Sequence, residues 1–192
     1  MTAPESGQPA TVVRGGALLA AGMAVSNAFG YGLNLVASRA LGPDEFGAFA
    51  ALMGVVLVCF VGSMALQSVT ARRLATDGPA AAAAMLDLGR RCAVGIAAAL
   101  VVTAPALSAF LHLDAAQILL VAATMIPLTL VGIRFGLAQG SERFGALALL
   151  YVLVAAGRLG GTLVGLAVRD SVTGGLVGAL AGASAAALLA AR

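Results

Sequence analysis

Six apolar stretches, each long enough to cross a bilayer, leave this 192-residue chain few folds to choose from. A bilayer core of about 30 Å is spanned by about 20 apolar residues in an α-helix. The stretches run at about 15–36, 48–70, 93–111, 118–138, 146–168 and 173–190. Inside hydrocarbon every backbone N–H and C=O needs a partner within its own segment, so helices are expected. The alternation of an outer-membrane barrel is absent. The expected fold is all-α, a polytopic bundle of six transmembrane helices in one domain over 15–192, behind a cytoplasmic tail over 1–14. Composition agrees: 61% hydrophobic and 10% charged residues cannot clothe a soluble domain of this size. The first span is no cleaved signal peptide, because its apolar core is too long and it lacks a small-x-small cleavage site.

The basic residues are all Arg, and they sort by side. Arg14, Arg72, Arg73, Arg90, Arg91, Arg143 and Arg192 fall on one side of the predicted spans, with Arg134 close by. The other side holds Arg39 and Arg169 with Asp44, Glu45, Asp114 and Asp170. By the positive-inside rule both termini are expected in the cytoplasm. The net charge of +3 is therefore read as topology. No basic patch is interleaved with aromatics, which argues against nucleic acid. The longest connection, Arg72–Arg91, reads as a solvated connector. A helix start at Asp77-Gly78-Pro79 leaves a short interfacial helix as the alternative. Cys59 and Cys92 should lie at different depths, too far apart for a disulfide.

Polar residues inside the spans are few, so their spacing is informative. Asn27, Tyr31, Asn34 and Ser38 share one helical face in span one. Ser63, Gln67 and Thr70 share one in span two. Tyr151, Arg158, Thr162 and Arg169 share one in span five. Three striped helices fit a shared hydrated cavity, or hydrogen bonding between packed helices. The Ser and Thr positions suit packing; for Asn27 and Asn34 both readings stand. Arg158 is different. A mid-helix Arg costs about 2.5–3.5 kcal/mol on insertion scales, and either interface is roughly 15–18 Å away along the helix. No acid lies within the six spans to pair with it. Carbonyls, Asn or Tyr partners, water and an anionic ligand remain. A hydrated cavity is the expectation; Arg134, one turn from a helix end, can snorkel.

Glycine marks close packing. Gly157, Gly161 and Gly165 are spaced by four in span five, as are Gly174, Gly178 and Gly182 in span six. Such small-xxx-small seams let backbones approach, and packing within the chain is expected here. Pro105 and Pro127 should kink spans three and four. Catalysis finds little support: the single His112 sits at a span end in "LHLD", no ligand spacing suggests a metal, and no phosphate loop is present. No enzyme activity and no cofactor are expected.

"NLVASRALGPDEFGAFAALMGV", Asn34–Val55, resembles the opening of the polysaccharide transporter family. There a first span ends in an Arg-x-Leu-Gly-Pro-x-Glu-Tyr/Phe-Gly turn, matched here by Arg39, Leu41, Gly42, Pro43, Glu45, Phe46 and Gly47. "GLAQGSERFGALALLYVLVAAGRL", Gly136–Leu159, resembles that family's connection between spans four and five, including Gln139-Gly140, Arg143-Phe144 and Arg158. The family belongs to the multidrug/oligosaccharidyl-lipid/polysaccharide exporter superfamily. The resemblance implies a flippase (Wzx-like) that moves undecaprenyl-pyrophosphate-linked oligosaccharide across the bacterial cytoplasmic membrane. It implies two six-helix lobes around a cavity whose cations meet the lipid pyrophosphate. Members usually have twelve to fourteen spans, so this chain resembles an N-terminal lobe only. A second six-helix lobe, a separate chain or a symmetric copy, is then the expected partner beside the lipid bilayer. The substrate-binding residues expected on this reading are Arg158, Asn27, Asn34, Tyr31, Arg39, Gln67 and Arg134. Two other functions compete: a non-transporting scaffold or inactive lobe, and a drug or cation exporter, which the lack of intramembrane acids disfavours.

Overall fold

The computed structural model describes residues 8–191. Among them are six helices: α1 (Gln8–Ala40), α2 (Pro43–Asp77), α3 (Ala81–Leu111), α4 (Ala115–Gly140), α5 (Phe144–Val168) and α6 (Val172–Ala190). Each is long and apolar enough to cross a membrane, so the chain is a six-helix, multi-pass bundle. Of the tail expected over 1–14, residues 8–14 already belong to α1. Residues 1–7 and Arg192 lie outside the described residues.

The helix ends follow from local chemistry. Pro43 occupies the first turn of α2, where its missing N–H is harmless. Gly78, at φ 72°, ends the same helix in the left-handed region that suits glycine. Asp114 caps α4 by accepting from Ala116 N at 3.0 Å, and Ser171 caps α6 by accepting from Gly174 N at 3.2 Å. Pro105 and Pro127 lie inside helices that continue through them.

The Arg72–Arg91 connection is largely exposed and almost wholly helical. Only Gly78–Ala80 lies outside helix; α2 and α3, at 35 and 31 residues, run on to meet them. At about 1.5 Å per residue they measure about 52 and 46 Å, well beyond a bilayer core of about 30 Å. Alanine's high helix propensity favours this extension. So do two exposed i,i+4 ion pairs, Arg73–Asp77 at 3.2 Å and Arg91–Asp87 at 2.7 Å.

Packing divides the helices into two sets. α1 and α6 flank α5, while α2 and α3 flank α4; α4 also lies along α6 and joins the sets. α1 and α2, though consecutive, barely touch. Glycines make the closest approaches. A methyl on Gly161 would overlap Gly178 O, one on Gly165 would overlap Gly174 O, and one on Gly157 would come within 2.7 Å of Gly182 O. The two glycine seams thus face each other rung by rung across the antiparallel α5–α6 pair. A third seam escaped the sequence reading, although its spacing of four was visible: Gly132, Gly136 and Gly140 seat α4 against the α2 backbone at Ser63, Gln67 and Ala71. Buried side chains from α1, α2, α3, α4, α5 and α6 form the main core, including Ala37, Phe49, Leu100, Ile118, Leu166 and Leu176.

Candidate functional site in the cleft between the two helix sets

Because α1 leans on α5 and α2 leans on α4, a cleft is left between them. It holds a cavity of about 540 Å³, lined by α1 (Met23 to Asn34), α2 (Met53 to Phe60), α4 (Leu128 to Phe135) and α5 (Tyr151 to Arg158). That volume lies in the range of small-ligand sites, about 300–1,000 Å³.

α5 carries the cavity's one charged lining residue, Arg158. Its Nη2 donates to Met53 Sδ at 3.7 Å. A thioether is a weak acceptor, and the guanidinium has five N–H donors to satisfy. Nε is buried and has no partner. Among the described residues no carboxylate and no oxygen answers this cation. The cavity is therefore electropositive, and its one cation is left with unused donors.

α1 supplies amides on either side of the cation. Gly15 meets Phe144, Gly22 meets Ala148 and Gly32 faces Leu159, so α1 and α5 run parallel in near-constant register. Arg158 then lies level with Gly30 and Tyr31. Asn27 and Asn34, which both line the cavity, sit roughly 5 Å along the helix to either side. Asn34 Nδ2 donates to Gly30 O of its own helix at 3.0 Å, leaving its carbonyl oxygen and second N–H to the cavity. Among the described residues, Asn27, Asn34 and Arg158 make no hydrogen bonds to one another.

The other expected site residues do not line the cavity. Tyr31 is rotated about 40° from the Asn27–Asn34 line and is 72% exposed on the outside of the bundle. Arg39 is exposed at the end of α1, and Arg134 is half-buried on α4. Gln67 stands just beyond the cavity's end, where its Nε2 donates to Tyr151 Oη at 3.3 Å and to Gln139 Oε1 at 3.0 Å. Tyr151 is held from behind by Phe135, their rings stacked at 4.3 Å. Gln139, from the "GLAQGSERF" segment, was not among the expected site residues.

Of the Ser and Thr stripe positions, Ser63, Thr70 and Thr162 are buried and Ser38 is exposed. Ser63 Oγ and Thr129 Oγ1 share a buried bond of 3.2 Å between α2 and α4. Thr162, on the Arg158 stripe, is buried against α6 and its hydroxyl has no partner. Glu45, from the "LGPDEFG" turn, reaches across to accept from Val172 N at 3.1 Å, so it caps α6 at the positive end of its dipole. Cys59 and Cys92 are free thiols. His112 is exposed and ends α3 with φ 55°. No group of His, Cys, Asp and Glu among the described residues could hold a metal ion.

No family, curated protein or solved structure matches this chain.

Proposed function

We propose that this chain is a transport lobe of a lipid flippase, and that its cleft receives the anionic headgroup of a polyprenyl-pyrophosphate-linked oligosaccharide. The observation that carries the reading is Arg158: a half-buried side chain whose Nε is buried without a partner and whose one hydrogen bond is to a thioether, lining a cavity that contains no acid. A cation kept at that depth costs insertion free energy. A ligand with phosphate oxygens offsets the cost, because guanidinium binds them through paired, charge-assisted hydrogen bonds. Asn27 and Asn34 each offer both donor and acceptor, which suits sugar hydroxyls or phosphate oxygens on either side of the cation. The resemblance of Asn34–Val55 and Gly136–Leu159 to the polysaccharide transporter family supplies the substrate class. On this reading translocation needs a second six-helix lobe, since alternating access requires two bodies that move against each other.

The scaffold alternative would have Asn27, Asn34 and Arg158 bonded together in a dry interface; instead they are separate around a cavity. Native mass spectrometry of the detergent-solubilised protein with undecaprenyl pyrophosphate tests the proposal. The wild type should retain the lipid, Arg158→Lys should retain less, and Arg158→Leu should lose it. Equal retention by wild type and Arg158→Leu would refute it.

A further inference from the structure

The cleft opens sideways between α1 and α2, where the lining residues Asn27, Gly30 and Asn34 are exposed, and its two ends are closed differently. Towards the face that carries Arg39 and Arg169, a thick apolar plug follows Arg158: Leu41, Phe49, Leu166 and Val172 are buried there, with Phe46 packed against them. Towards the face that carries Arg72 and Arg143, closure is thinner. Leu19, Leu147 and Leu150 seal the side between α1, α4 and α5. Between α2 and α5 there is little backbone packing. Two side-chain hydrogen bonds bridge them, Arg158–Met53 inside the cavity and Gln67–Tyr151 at its end.

That second bridge belongs to a polar series. Gln139 is exposed at the end of α4, Gln67 and Tyr151 are half-buried, and the Tyr151 ring lines the cavity that holds Arg158. The three side chains come from three helices and are joined through the one Gln67 amide nitrogen. Polar groups placed in this order exchange their mutual bonds for water without leaving a buried group unsatisfied. An apolar plug has no such exchange open to it. We propose that Gln67, Tyr151 and Gln139 form a side-chain gate that controls water access to the Arg158 cavity from the face carrying Arg72 and Arg143. Opening requires the Gln67–Tyr151 bond to break and the phenol to swing aside; no helix has to move. The gate concerns access alone and stands whatever the cavity binds.

The test uses the full chain with Cys59 and Cys92 replaced by Ala and a single probe thiol, Ala155→Cys, in the cavity lining. It is expressed in cells, and right-side-out and inverted membrane vesicles are prepared. A membrane-impermeant methanethiosulfonate is applied to each, and a separate Gly78→Cys reporter identifies the vesicles that expose the face with Arg72. Tyr151→Phe keeps the ring and its stacking but removes the hydroxyl; Gln67→Ala removes the other partner. Each should raise the labelling rate from the Arg72 face about fivefold, what loss of one hydrogen bond of ordinary net strength allows. The double variant should label no faster than the quicker single one, because both remove the same bond. Labelling from the opposite face should stay unchanged. Unchanged rates from the Arg72 face, or an equal rise from both faces, would overturn the gate. Undecaprenyl pyrophosphate retention plays no part in this readout, so the gate and the ligand reading fail independently.

Discussion

Gly160 and Gly161 are neighbours on α5, and alanine should act on them in opposite directions. A Cβ at Gly160 meets no atom within 4 Å. A Cβ at Gly161 overlaps Gly178 O and lies 2.9 Å from that carbonyl carbon and 3.0 Å from Gly182 N. Ordinary contact begins at 3.4 Å, so α5 and α6 must part by about 1 Å to admit one methyl. The obstacle is backbone, which has no rotamer to change. A gap of this size forfeits about half of the dispersion well for each contact along the seam, and overpacking of this kind costs about 1–3 kcal/mol. Alanine's helix propensity returns up to about 1 kcal/mol at either position. The net expectation is about 1–2 kcal/mol of destabilisation for Gly161→Ala and zero to about 1 kcal/mol of stabilisation for Gly160→Ala. Unfolding by SDS titration in mixed micelles, followed by far-ultraviolet circular dichroism, measures both. Gly178→Ala should resemble Gly161→Ala, and the double variant should cost less than the sum, because helices already parted admit the second methyl. If Gly160→Ala and Gly161→Ala agree within about 0.5 kcal/mol, the rung-by-rung seam is wrong.

Three further outcomes are expected. Arg158→Leu should fold at least as stably as wild type, since it removes a buried cation whose Nε has no partner; a lower unfolding midpoint would make Arg158 a packing element. Glu45→Ala should lose about 1 kcal/mol with the cap of α6, whereas Glu45→Gln, which keeps an acceptor oxygen, should lose less; the same unfolding titration reads both. A single cysteine at Asp44 should react with an impermeant reagent from outside the cell and one at Gly78 from the cytoplasmic side, and the reverse pattern would overturn the topology set by the arginines.

What the sequence alone determined was the number of helices and the glycine seam between the last two. Span length and backbone satisfaction in hydrocarbon are local demands, so six apolar stretches had to become six helices. The rungs of Gly157, Gly161 and Gly165 were legible because a spacing of four puts them on one face of any helix. The isolation of Arg158 was legible because an intramembrane acid would have stood in the apolar runs. What covers each face was not legible, since it depends on which helix lies alongside. The Asn27–Asn34 stripe and the Ser63–Thr70 stripe look alike in sequence; the first lines a cavity because α1 leans away from α2, and the second is pressed onto α4. Tyr31 sits four residues from Asn27 yet faces outward, a rotation of about 40° that matters only once the cleft has an edge. Gln139 joined Gln67 and Tyr151 through the meeting of α2, α4 and α5, a contact across 72 residues that no local pattern records.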